Sequence, residues 1–548
     1  MATADQLSPP SASAPSNNLR RQIGIIGLTW ASVGSIIGSG WLYGAKNALE
    51  AAGPAAIISW LVGAVAIILL ALVHAELGGM FPVSGGTARY PHYAFGGIAG
   101  MSFGWFSWLQ AASVAPIEVE AMIGYAGHWS FAAHWEKADG TLTGTGIAVA
   151  VVLMAIFVAV NFLGVRILAH TNSAATWWKI GVPLFAILVL AIANFHGGNF
   201  TAGGGFAPFG AKGILAAVST SGIIFALLGF EQAIQLSGES SNPKRDIPRA
   251  VLASVAIGAV IYVLLQVVYI GALPSASFAH GWANLAYAGI KGPFAGLATV
   301  VGVSWLAVIL YIDAVISPGG TGLIYVTSTS RISYGLSRNG YTPQALQRTN
   351  DQGVPWVGLI VAFVTGVLCF LPFPSWQQLV GFITSASVLM YAGAPLAYGV
   401  LSKQLPNYDR PYRLPAGKVI APLSFVVADL IIYWSGWETV WRLGVAILVG
   451  YVLLGSYAWY ANAKQLPNAP RLEWRAAQWL PVYLLGMGVI SWQGGFGNGT
   501  DNIGLWYDIA IIAVFSLVIY YWAIAVGLPA EKIEASIADV EVVDEGGH

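Results

Sequence analysis

Long apolar runs, separated by short polar segments, dominate this chain from residue 22 to residue 528. A membrane-spanning helix needs about 20 consecutive apolar residues, because the hydrocarbon layer of a bilayer is about 30 Å thick. Hydrophobic residues occupy 57% of the 548 positions, about 310 in all, which suffices for on the order of fourteen such helices. Charged residues make up only 9%, against about 25% in soluble domains. The sequence therefore predicts an all-α integral membrane protein and excludes a soluble enzyme.

The two ends of the chain and its charge balance exclude further functions. Residues 1–21 lack an apolar core, so we expect a disordered cytoplasmic tail rather than a cleavable signal, and we expect 529–548 to form a cytoplasmic C-terminal tail. Because 24 Lys and Arg balance 24 Asp and Glu, no net field attracts nucleic acid. The sequence has neither a paired Cys/His metal spacing nor a Gly-Lys-Ser/Thr phosphate-binding loop. It predicts no metal, no cofactor and no ATP, and an ion gradient as the energy source.

The apolar runs fall into groups of five, five and four. We expect a ten-helix core over 22–402, made of repeats 22–194 and 213–402, and four peripheral transmembrane helices over 403–528. The runs of the first repeat are 22–44, 53–79, 98–127, 144–164 and 173–194. Those of the second repeat are 213–237, 250–272, 294–333, 354–372 and 378–402. The peripheral runs are 418–435, 438–461, 476–493 and 503–528.

Basic residues indicate the orientation of these spans, because Lys and Arg accumulate in cytoplasmic loops. Of the 24 basic residues, 18 fall on the side of the termini, five lie on or near the other side, and Lys179 lies inside a span. The asymmetry predicts an even number of spans with both termini in the cytoplasm. We expect a multi-pass protein of the plasma membrane, surrounded by membrane lipid, and in a bacterium the inner membrane.

Glycine interrupts two of the apolar runs. The first run contains the segment 34–40, with glycine at three of its seven positions, and the sixth contains the segment 221–231 with Gly222 and Gly229. Backbone breaks at membrane depth are tolerated only where they line a cavity or are covered by protein. Gly34 and Gly38 alone also fit close helix packing. However, each broken run comes first in its group of five, and since five is odd, the two enter the membrane from opposite sides, as an inverted repeat requires.

Paired breaks of this kind indicate a binding site at the membrane midplane. The free N–H groups of a half-helix attract a carboxylate, and unwound carbonyls receive an ammonium. A zwitterion suits both groups at once.

Five segments of the chain resemble the amino acid, polyamine and organocation superfamily of secondary transporters. They are 34–40 in the first span, 76–96 at the end of the second, 229–231 and 242–249 around the sixth, and 313–340 in the eighth. The segment 229–249 is the most specific match. The eighth-span segment is most similar to the bacterial aspartate–proton symporter branch of the superfamily.

The resemblance implies a LeuT-type 5+5 inverted-repeat core with about four additional helices, and proton-coupled uptake of an amino acid, with aspartate or glutamate as the leading substrate. It implies that the α-carboxylate is held by Ser35, Ile37, Gly38, Ser39 and Gly40. Carbonyls near Phe225, Ala226 and Leu228 then hold the α-amino group, and Phe225 is the aromatic gate.

Ionisable residues at membrane depth are costly and are therefore candidates for function. Asp313 has Ser317 one turn further on, so both face the expected core, and we favour function over a structural hydrogen bond. Glu231 is open to two interpretations, a proton-exchange site or an interhelical hydrogen bond. Glu118 and Glu120 lie on different faces of the third span, where a wet vestibule is the simpler interpretation, and His74 and Glu76 are expected at a solvated helix end. These last two pairs are not assigned to the site.

Lys179 lies about five to seven residues inside the fifth span, or roughly 10 Å along the helix. A lysine at that depth either extends to the headgroups or is buried in the core. In some proton-coupled members of the superfamily that the chain resembles, a lysine at the matching place occupies the position of a sodium ion between the first and eighth helices. The resemblance therefore implies that Lys179, Glu231, Asp313 and Ser317 are candidates for proton coupling.

Three functions compete on these observations. The first is a proton-coupled amino-acid symporter, and the second is an exchanger of one amino acid or amine for another. A membrane-embedded sensor or enzyme is remote, because it needs an appended soluble domain or a catalytic cluster. We therefore expect a transporter and not an enzyme.

Overall fold

The computed structural model describes residues 23–82, 86–163, 165–237, 240–466, 469–470 and 472–545. The predicted N-terminal tail, 1–21, lies outside the described residues. Within them the regular secondary structure is helical, apart from three isolated β-bridges. Nine helical segments of this part of the chain are long and apolar enough to cross a membrane.

Helices follow the expected order along the chain. The first five runs correspond to α1 Ile25–Ile36, α2 Gly40–Ala52, α3 Ala56–Met80, α4 Gly86–Phe95, α5 Gly97–Ala126, α6 Gly144–Phe162 and α7 Val165–Ala193. The next five correspond to α8 Gly210–Thr220, α9 Ile223–Leu227, α10 Glu231–Gln235, α11 Pro243–Ala272, α12 Pro293–Val300, α13 Ser304–Arg338, α14 Trp356–Cys369 and α15 Trp376–Gln404. The remaining helices are α16 Gly417–Trp434, α17 Trp437–Ala463, α18 Trp474–Ala477, α19 Trp479–Gln493, α20 Leu505–Val526 and α21 Ala530–Glu545.

Two features of this arrangement were not predicted from the sequence. The run 294–333 is divided into α12 and α13, because Gly302 adopts a φ of +87° and the Val303 N–H turns back to the Ala298 carbonyl. The segment 529–548, predicted as a tail, contains the helix α21. Ile533 of this helix is fully buried, and the neighbouring Leu528 N–H donates to the Ala94 carbonyl at 2.9 Å. Helix α21 therefore packs against α4, close to the joint between α4 and α5.

Helix α5 lies at the centre of the packing, against α13, α15 and α4. Its 30 residues include two glutamates and one glutamine, and it is not among the nine apolar segments. Helices that surround it separate it from lipid, so its polar side chains face protein. Helix α1 packs mainly on α11, and α3 on α11 and α16.

The end of α3 is buried, which corrects the expectation of a solvated helix end at His74 and Glu76. His74 is fully buried and bonds the Leu70 carbonyl through Nδ1 at 2.8 Å. The Glu76 carboxylate accepts from the Arg410 guanidinium and, at 2.5 Å, from the Leu414 N–H. The side chains of Glu76 and Arg410 are only 2% and 8% exposed, because the loop after α15 folds over this end of α3.

Candidate binding site where two broken spans meet

The first span is interrupted over three residues between α1 and α2. Ile37, directly after α1, donates its N–H to the Val33 carbonyl, and the Gly38 N–H donates to the Ile36 carbonyl at 3.1 Å. Gly40 begins α2. The predicted break at 34–40 is therefore present, and it leaves backbone groups of both half-helices without their usual helical partners.

The sixth span is interrupted twice. Gly222, with φ +90°, separates α8 from α9, and an extended segment around Leu228 and Gly229 separates α9 from α10. The Phe225 carbonyl accepts the Leu228 N–H at 3.2 Å. Gly229 has φ +125°, and a Cβ there would lie 2.8 Å from the Ile36 nitrogen, so only glycine fits.

The two interrupted spans touch backbone to backbone. Gly229 abuts Ser35 and Ile36 of the first span, and a Cβ on Gly40 would lie 2.8 Å from the Ala226 Cα. The matched glycines found in the sequence therefore bring the two breaks together at one place. A small cavity lies beside them, lined by Ser35, Ile36, Gly38, Val114, Glu118, Phe225, Leu228, Thr321 and Tyr325. Its free volume is about 10 Å³, the space that one water molecule needs.

Glu118 points into this cavity, which corrects its assignment to a wet vestibule. The side chain is fully buried, and Oε2 accepts the Ser39 N–H at 2.8 Å. Oε1 has no hydrogen-bond partner among the described residues and lies 2.6 Å from where a Cβ on Gly38 would stand. Glu120, also buried at 2% exposure, lies on the other side of α5, as the two-residue spacing predicted.

Lys179 is buried and joins three helices. Its side chain is 1% exposed, so it does not extend to the headgroups. The ammonium donates to the Gly34 carbonyl of α1 at 2.7 Å and to the Thr321 hydroxyl of α13 at 2.8 Å. It also interacts electrostatically with Glu118 and Asp313.

Asp313 and Ser317 form a pair one helical turn apart on α13. The Ser317 hydroxyl donates to Asp313 Oδ1 at 2.7 Å, and the Trp41 indole donates to Oδ2 at 3.1 Å. Both side chains are fully buried. The predicted shared face is present, but the hydroxyl that contacts Lys179 is that of Thr321, one turn beyond Ser317.

Glu231 is the hydrogen-bond partner of Tyr325, which lines the cavity. It is fully buried and accepts from the Tyr325 hydroxyl at 2.8 Å, from the Gly229 N–H at 2.9 Å and from the Tyr391 hydroxyl. Phe230 stacks on the Tyr391 ring at 4.7 Å between centroids. Three helices, α10, α13 and α15, therefore meet at one carboxylate.

Phe225, which lines the cavity, packs against Trp376 of α15. The two rings meet edge to face at 5.9 Å, and the Trp376 indole donates to the Ser39 hydroxyl at 2.9 Å. Tyr43 packs against the Trp376 ring at 5.1 Å. Trp376 therefore contacts the unwound part of the first span directly, through its hydrogen bond to Ser39.

Sequence reasoning missed Glu118, Thr321, Tyr325, Trp376 and Tyr391 as members of this site. One signal was available for Glu118. It lies four and eight residues after Val114 and Gln110, so the three share a face of α5. The hydrogen-bond partners of the other four residues in this site lie 94 to 337 positions away, and no local pattern reveals them. No group of three or more His, Cys, Asp or Glu that could hold a metal ion is found in the described part of the chain.

Comparison with known proteins identifies the family. The model of the family described as "Amino acid permease" matches residues 23–453. The chain is 39% identical to the glutamate/serine transporter AimA of Bacillus subtilis over 94% of its own length and 96% of the relative's. It is 36% identical to the aspartate-proton symporter of the same organism, covering 94% and 98% of the two chains, and 26% identical to its branched-chain amino acid permease BcaP, covering 82% and 95%.

These matches confirm the resemblance drawn from the sequence motifs. The family and the relatives named here are transporters and not enzymes, and the apolar helices agree with a multi-pass membrane protein. Because the family model covers most of the chain, the chain belongs to the amino acid permease family.

Proposed function

We propose that the chain is a secondary active transporter that takes up an amino acid together with a proton by alternating access. The observation that carries this proposal is the buried Lys179 ammonium, which links the broken end of α1 to α13 beside a cavity that contains Glu118. A buried cation between elements that must move is suited to respond to the gain or loss of a proton. Lys179, Glu231, Asp313 and Ser317 remain the candidates for coupling, and Glu118 joins them.

The proposed architecture is a 5+5 inverted repeat followed by four peripheral helices. Residues 22–402 form the core and 403–528 the periphery, giving fourteen spans in all. The two interrupted helices, each first in its repeat, support this organisation. Both termini then lie in the cytoplasm, and we place the protein in the bacterial inner membrane, since the two most similar relatives named above are bacterial transporters.

The amino acid binds between the two breaks. Its α-carboxylate lies against the first-span segment, Ser35 and Ile37 to Gly40, and its α-amino group near the carbonyls of Phe225, Ala226 and Leu228. Glu118 already accepts the Ser39 N–H, so the substrate carboxylate and Glu118 compete for the same donor. The cavity has room for about one water molecule, so binding also requires side chains to move apart.

Proton coupling follows from this competition. Two carboxylates close to one N–H group repel each other, and a proton on Glu118 removes that repulsion. The electrostatic interaction between Glu118 and Lys179 then weakens, which loosens the contact of Lys179 with α1 and α13. One proton therefore favours both substrate entry and a change in helix contacts, which is the linkage that a symporter needs.

Aspartate and glutamate are the leading substrates. This rests on the names of two relatives, a glutamate/serine transporter and an aspartate-proton symporter, which match the chain over 94% of its length. No basic residue lines the cavity, so an acidic side chain needs the co-transported proton or neutral hydrogen-bond donors.

Uptake into proteoliposomes tests the proposal. The purified protein is reconstituted, and labelled serine, aspartate or glutamate is supplied with and without an inward proton gradient. Accumulation above the outside concentration that a proton ionophore abolishes is the expected result. Counterflow of equal rate with and without the gradient, and no net accumulation, would assign the protein to exchange instead.

A further inference from the structure

His74 of α3 is a buried histidine with one ring nitrogen unbonded. Its side chain is fully buried, and Nδ1 bonds the Leu70 carbonyl at 2.8 Å. Because a carbonyl oxygen can only accept, Nδ1 carries the hydrogen, and Nε2 of the neutral ring is an acceptor. Nε2 has no hydrogen-bond partner among the described residues. An ionisable group buried within a membrane span is a candidate for function, and this one retains a free site for a proton.

Three aromatic rings contact the imidazole of His74. Tyr391 of α15 meets it edge to face at 5.2 Å between centroids, and Phe230 does so at 5.3 Å. Tyr90 of α4 lies at 6.5 Å. The Tyr90 hydroxyl is fully buried and, in the part of the chain that the structure describes, is also without a hydrogen-bond partner. An unbonded acceptor and an unbonded donor therefore lie on neighbouring rings.

Hydrogen bonds connect these rings to the cavity. Tyr325, which lines the cavity, donates to Glu231 Oε1 at 2.8 Å, and the Tyr391 hydroxyl donates to the other oxygen of that carboxylate. Tyr391 in turn contacts the His74 ring. From the cavity outwards, five polar groups therefore follow one another, which we call the polar series: Tyr325, Glu231, Tyr391, His74 and Tyr90.

The polar series leads to the end of the molecule that carries both ends of the described chain. Gly79, near the end of α3, packs against the Lys244 carbonyl at the start of α11. The Ile23 carbonyl accepts the Ser241 N–H at 2.9 Å, two residues before α11, and the C-terminal helix α21 packs against α4, which carries Tyr90. With both termini in the cytoplasm, as proposed above, the series runs from the cavity towards the cytoplasm.

We propose that His74 receives the proton that leaves Glu231 and releases it to the cytoplasm. This inference rests on the proposed proton-coupled transport. As Tyr391 and the imidazole come within hydrogen-bond distance, a protonated Glu231 gives its proton to the Tyr391 oxygen, and the Tyr391 hydroxyl passes its own proton to His74 Nε2. Glu231 is then a carboxylate, the tyrosine is unchanged, and the imidazole has become an imidazolium. When this end opens, the imidazolium loses the Nε2 proton past Tyr90, and the neutral ring is restored.

The groups that face His74 suit such an exchange. Tyr90 and Tyr391 present hydroxyl groups to the ring region, and the Glu231 carboxylate lies beyond Tyr391. The rings in contact with His74 thus carry no fixed charge, so its own charge depends on the proton that it exchanges. The charged side chains around this end of α3 are Glu76, which is bonded to Arg410, Lys244, which is paired with Asp409, Asp246 in the first turn of α11, and Arg89 before Tyr90.

Uptake at different internal pH tests this role. His74→Phe keeps an aromatic ring and removes both nitrogens, whereas His74→Asn keeps an N–H group for the Leu70 carbonyl but cannot take up a proton. Initial rates of proton-driven uptake of labelled serine, aspartate or glutamate are measured in proteoliposomes, with the external pH fixed and the internal pH varied. Counterflow and the thermal stabilisation caused by substrate are measured on the same proteins, and size-exclusion chromatography checks their folding.

In wild type we expect the uptake rate to rise with internal pH, because an imidazolium releases its proton more readily into a less acidic compartment. In both His74 variants we expect proton-driven uptake to fall about tenfold or more and its dependence on internal pH to weaken, because a positioned proton-transfer group is lost. Counterflow and substrate binding should stay within about twofold of wild type, since neither requires release of the proton. Tyr391→Phe, which removes only the hydroxyl between Glu231 and His74, should reduce proton-driven uptake in the same way.

The matched control is His92→Phe on α4. His92 is a partly buried histidine near the same end, but it bonds the Tyr341 hydroxyl at 3.0 Å and is not part of the polar series. Its variant should take up substrate like wild type at every internal pH. Uptake within twofold of wild type in a folded His74 variant or in Tyr391→Phe would overturn the proposed route, and so would equal losses of uptake, counterflow and binding, which a structural role predicts. If His74→Phe does not fold, His74→Asn decides. A wild type without proton-driven accumulation would refute the proposed function, and the role of His74 with it.

Discussion

The Lys179 ammonium donates a 2.7 Å hydrogen bond to the Gly34 carbonyl, at the point where α1 ends. In an unbroken helix this carbonyl would accept the Gly38 N–H, but that N–H turns to the Ile36 carbonyl instead. Gly34 therefore offers one of the unsatisfied carbonyls of a helix C-terminus, where a positive charge is favourable. The glycine break thus creates the acceptor that the buried lysine uses.

Replacing Lys179 should separate transport from proton coupling. In Lys179→Gln and Lys179→Ala we expect proton-driven accumulation of the substrate to fall at least about tenfold, because the charge that links α7 to α1 and α13 is lost. Counterflow of substrate should persist at a measurable rate. Uptake into proteoliposomes with an imposed proton gradient measures both.

A suitable control for that experiment is Lys212→Gln. Lys212 is about half exposed and pairs with Asp501 at 3.3 Å on the surface. Its variant should accumulate substrate like wild type. Accumulation against a gradient in a folded Lys179 variant would move the coupling site to Glu118, Glu231 or Asp313.

A side chain at Gly38 should block the site. A Cβ there would lie 2.6 Å from Glu118 Oε1 and 3.0 Å from the Thr321 hydroxyl, so the bulk of Gly38→Leu fills the cavity. We expect the thermal stabilisation caused by the substrate to disappear. Gly319→Leu on α13 is the control, since nothing lies within 4 Å of its Cβ. Substrate binding by Gly38→Leu with wild-type affinity would remove the first-span break from the site.

The Phe225 ring should govern occlusion more than affinity. Phe225→Ala removes the edge-to-face contact with Trp376 and opens a path past Ser39. We expect the transport rate to fall about tenfold or more while the binding constant changes less, because closure of the cavity is impaired. Phe185→Ala, on the partly exposed face of α7, serves as the comparison. Unchanged transport by Phe225→Ala would show that the ring is only a packing residue.

The sequence predicted those features that depend on local pattern. Glycines at 34–40 and at 222 and 229 predicted that both spans are interrupted, because an interruption at membrane depth is tolerated only where it lines a cavity or is covered by protein. The four-residue spacing of Asp313 and Ser317 predicted their shared face, and they are hydrogen-bonded at 2.7 Å. The identity of the substrate and the coupling residue stay predictions.

What the sequence could not reveal depends on contacts between distant segments. Glu76 was assigned to a solvated end because its partner, Arg410, is 334 positions away and no local pattern relates them. Trp376 and Ser39 are 337 positions apart, and only the packing of α15 over the break brings them together. Glu118 and Glu120 could be placed on different faces of α5, but which face meets the cavity is decided by the neighbours of the helix.

The Glu76–Arg410 pair should stabilise the fold strongly. Both side chains are almost fully buried, so Arg410→Ala leaves a carboxylate without its cation, at a cost of about 3–5 kcal/mol. The neighbouring Lys244–Asp409 pair provides a control, because its side chains are 55% and 68% exposed, and water and salt screen the attraction between exposed charges so that it adds little to stability. Thermal unfolding in detergent measures the stability that Arg410→Ala and Asp409→Ala each lose relative to wild type. Equal melting temperatures for Arg410→Ala and Asp409→Ala would contradict the importance of burial.

The loop between α5 and α6 should make stability depend on pH through Glu136. This side chain lies over α2 and α5 near Tyr43 and Glu120, and its Oε2 is 3.6 Å from the Lys291 ammonium. Burial raises the pKa of Glu136 from 4.5 to about 7, and Lys291 opposes that rise, while Asp139 adds to it. The folded state therefore holds the proton more tightly than the unfolded state. Stability from this group is present below pH 4.5 and is lost as the pH rises through 7.

Glu136→Gln removes this dependence, because an amide does not titrate. We expect the melting temperature of Glu136→Gln minus that of wild type to be a few degrees larger at pH 8 than at pH 5. The reason is that only wild type must bury a charged carboxylate at the higher pH. Asp139→Asn is the control. Asp139 is fully exposed, and hydrogen bonds from Thr141 lower its pKa from 3.8, so its titration lies below this pH range. A difference between Glu136→Gln and wild type that stays constant from pH 5 to pH 8 would show that the loop carboxyl titrates normally.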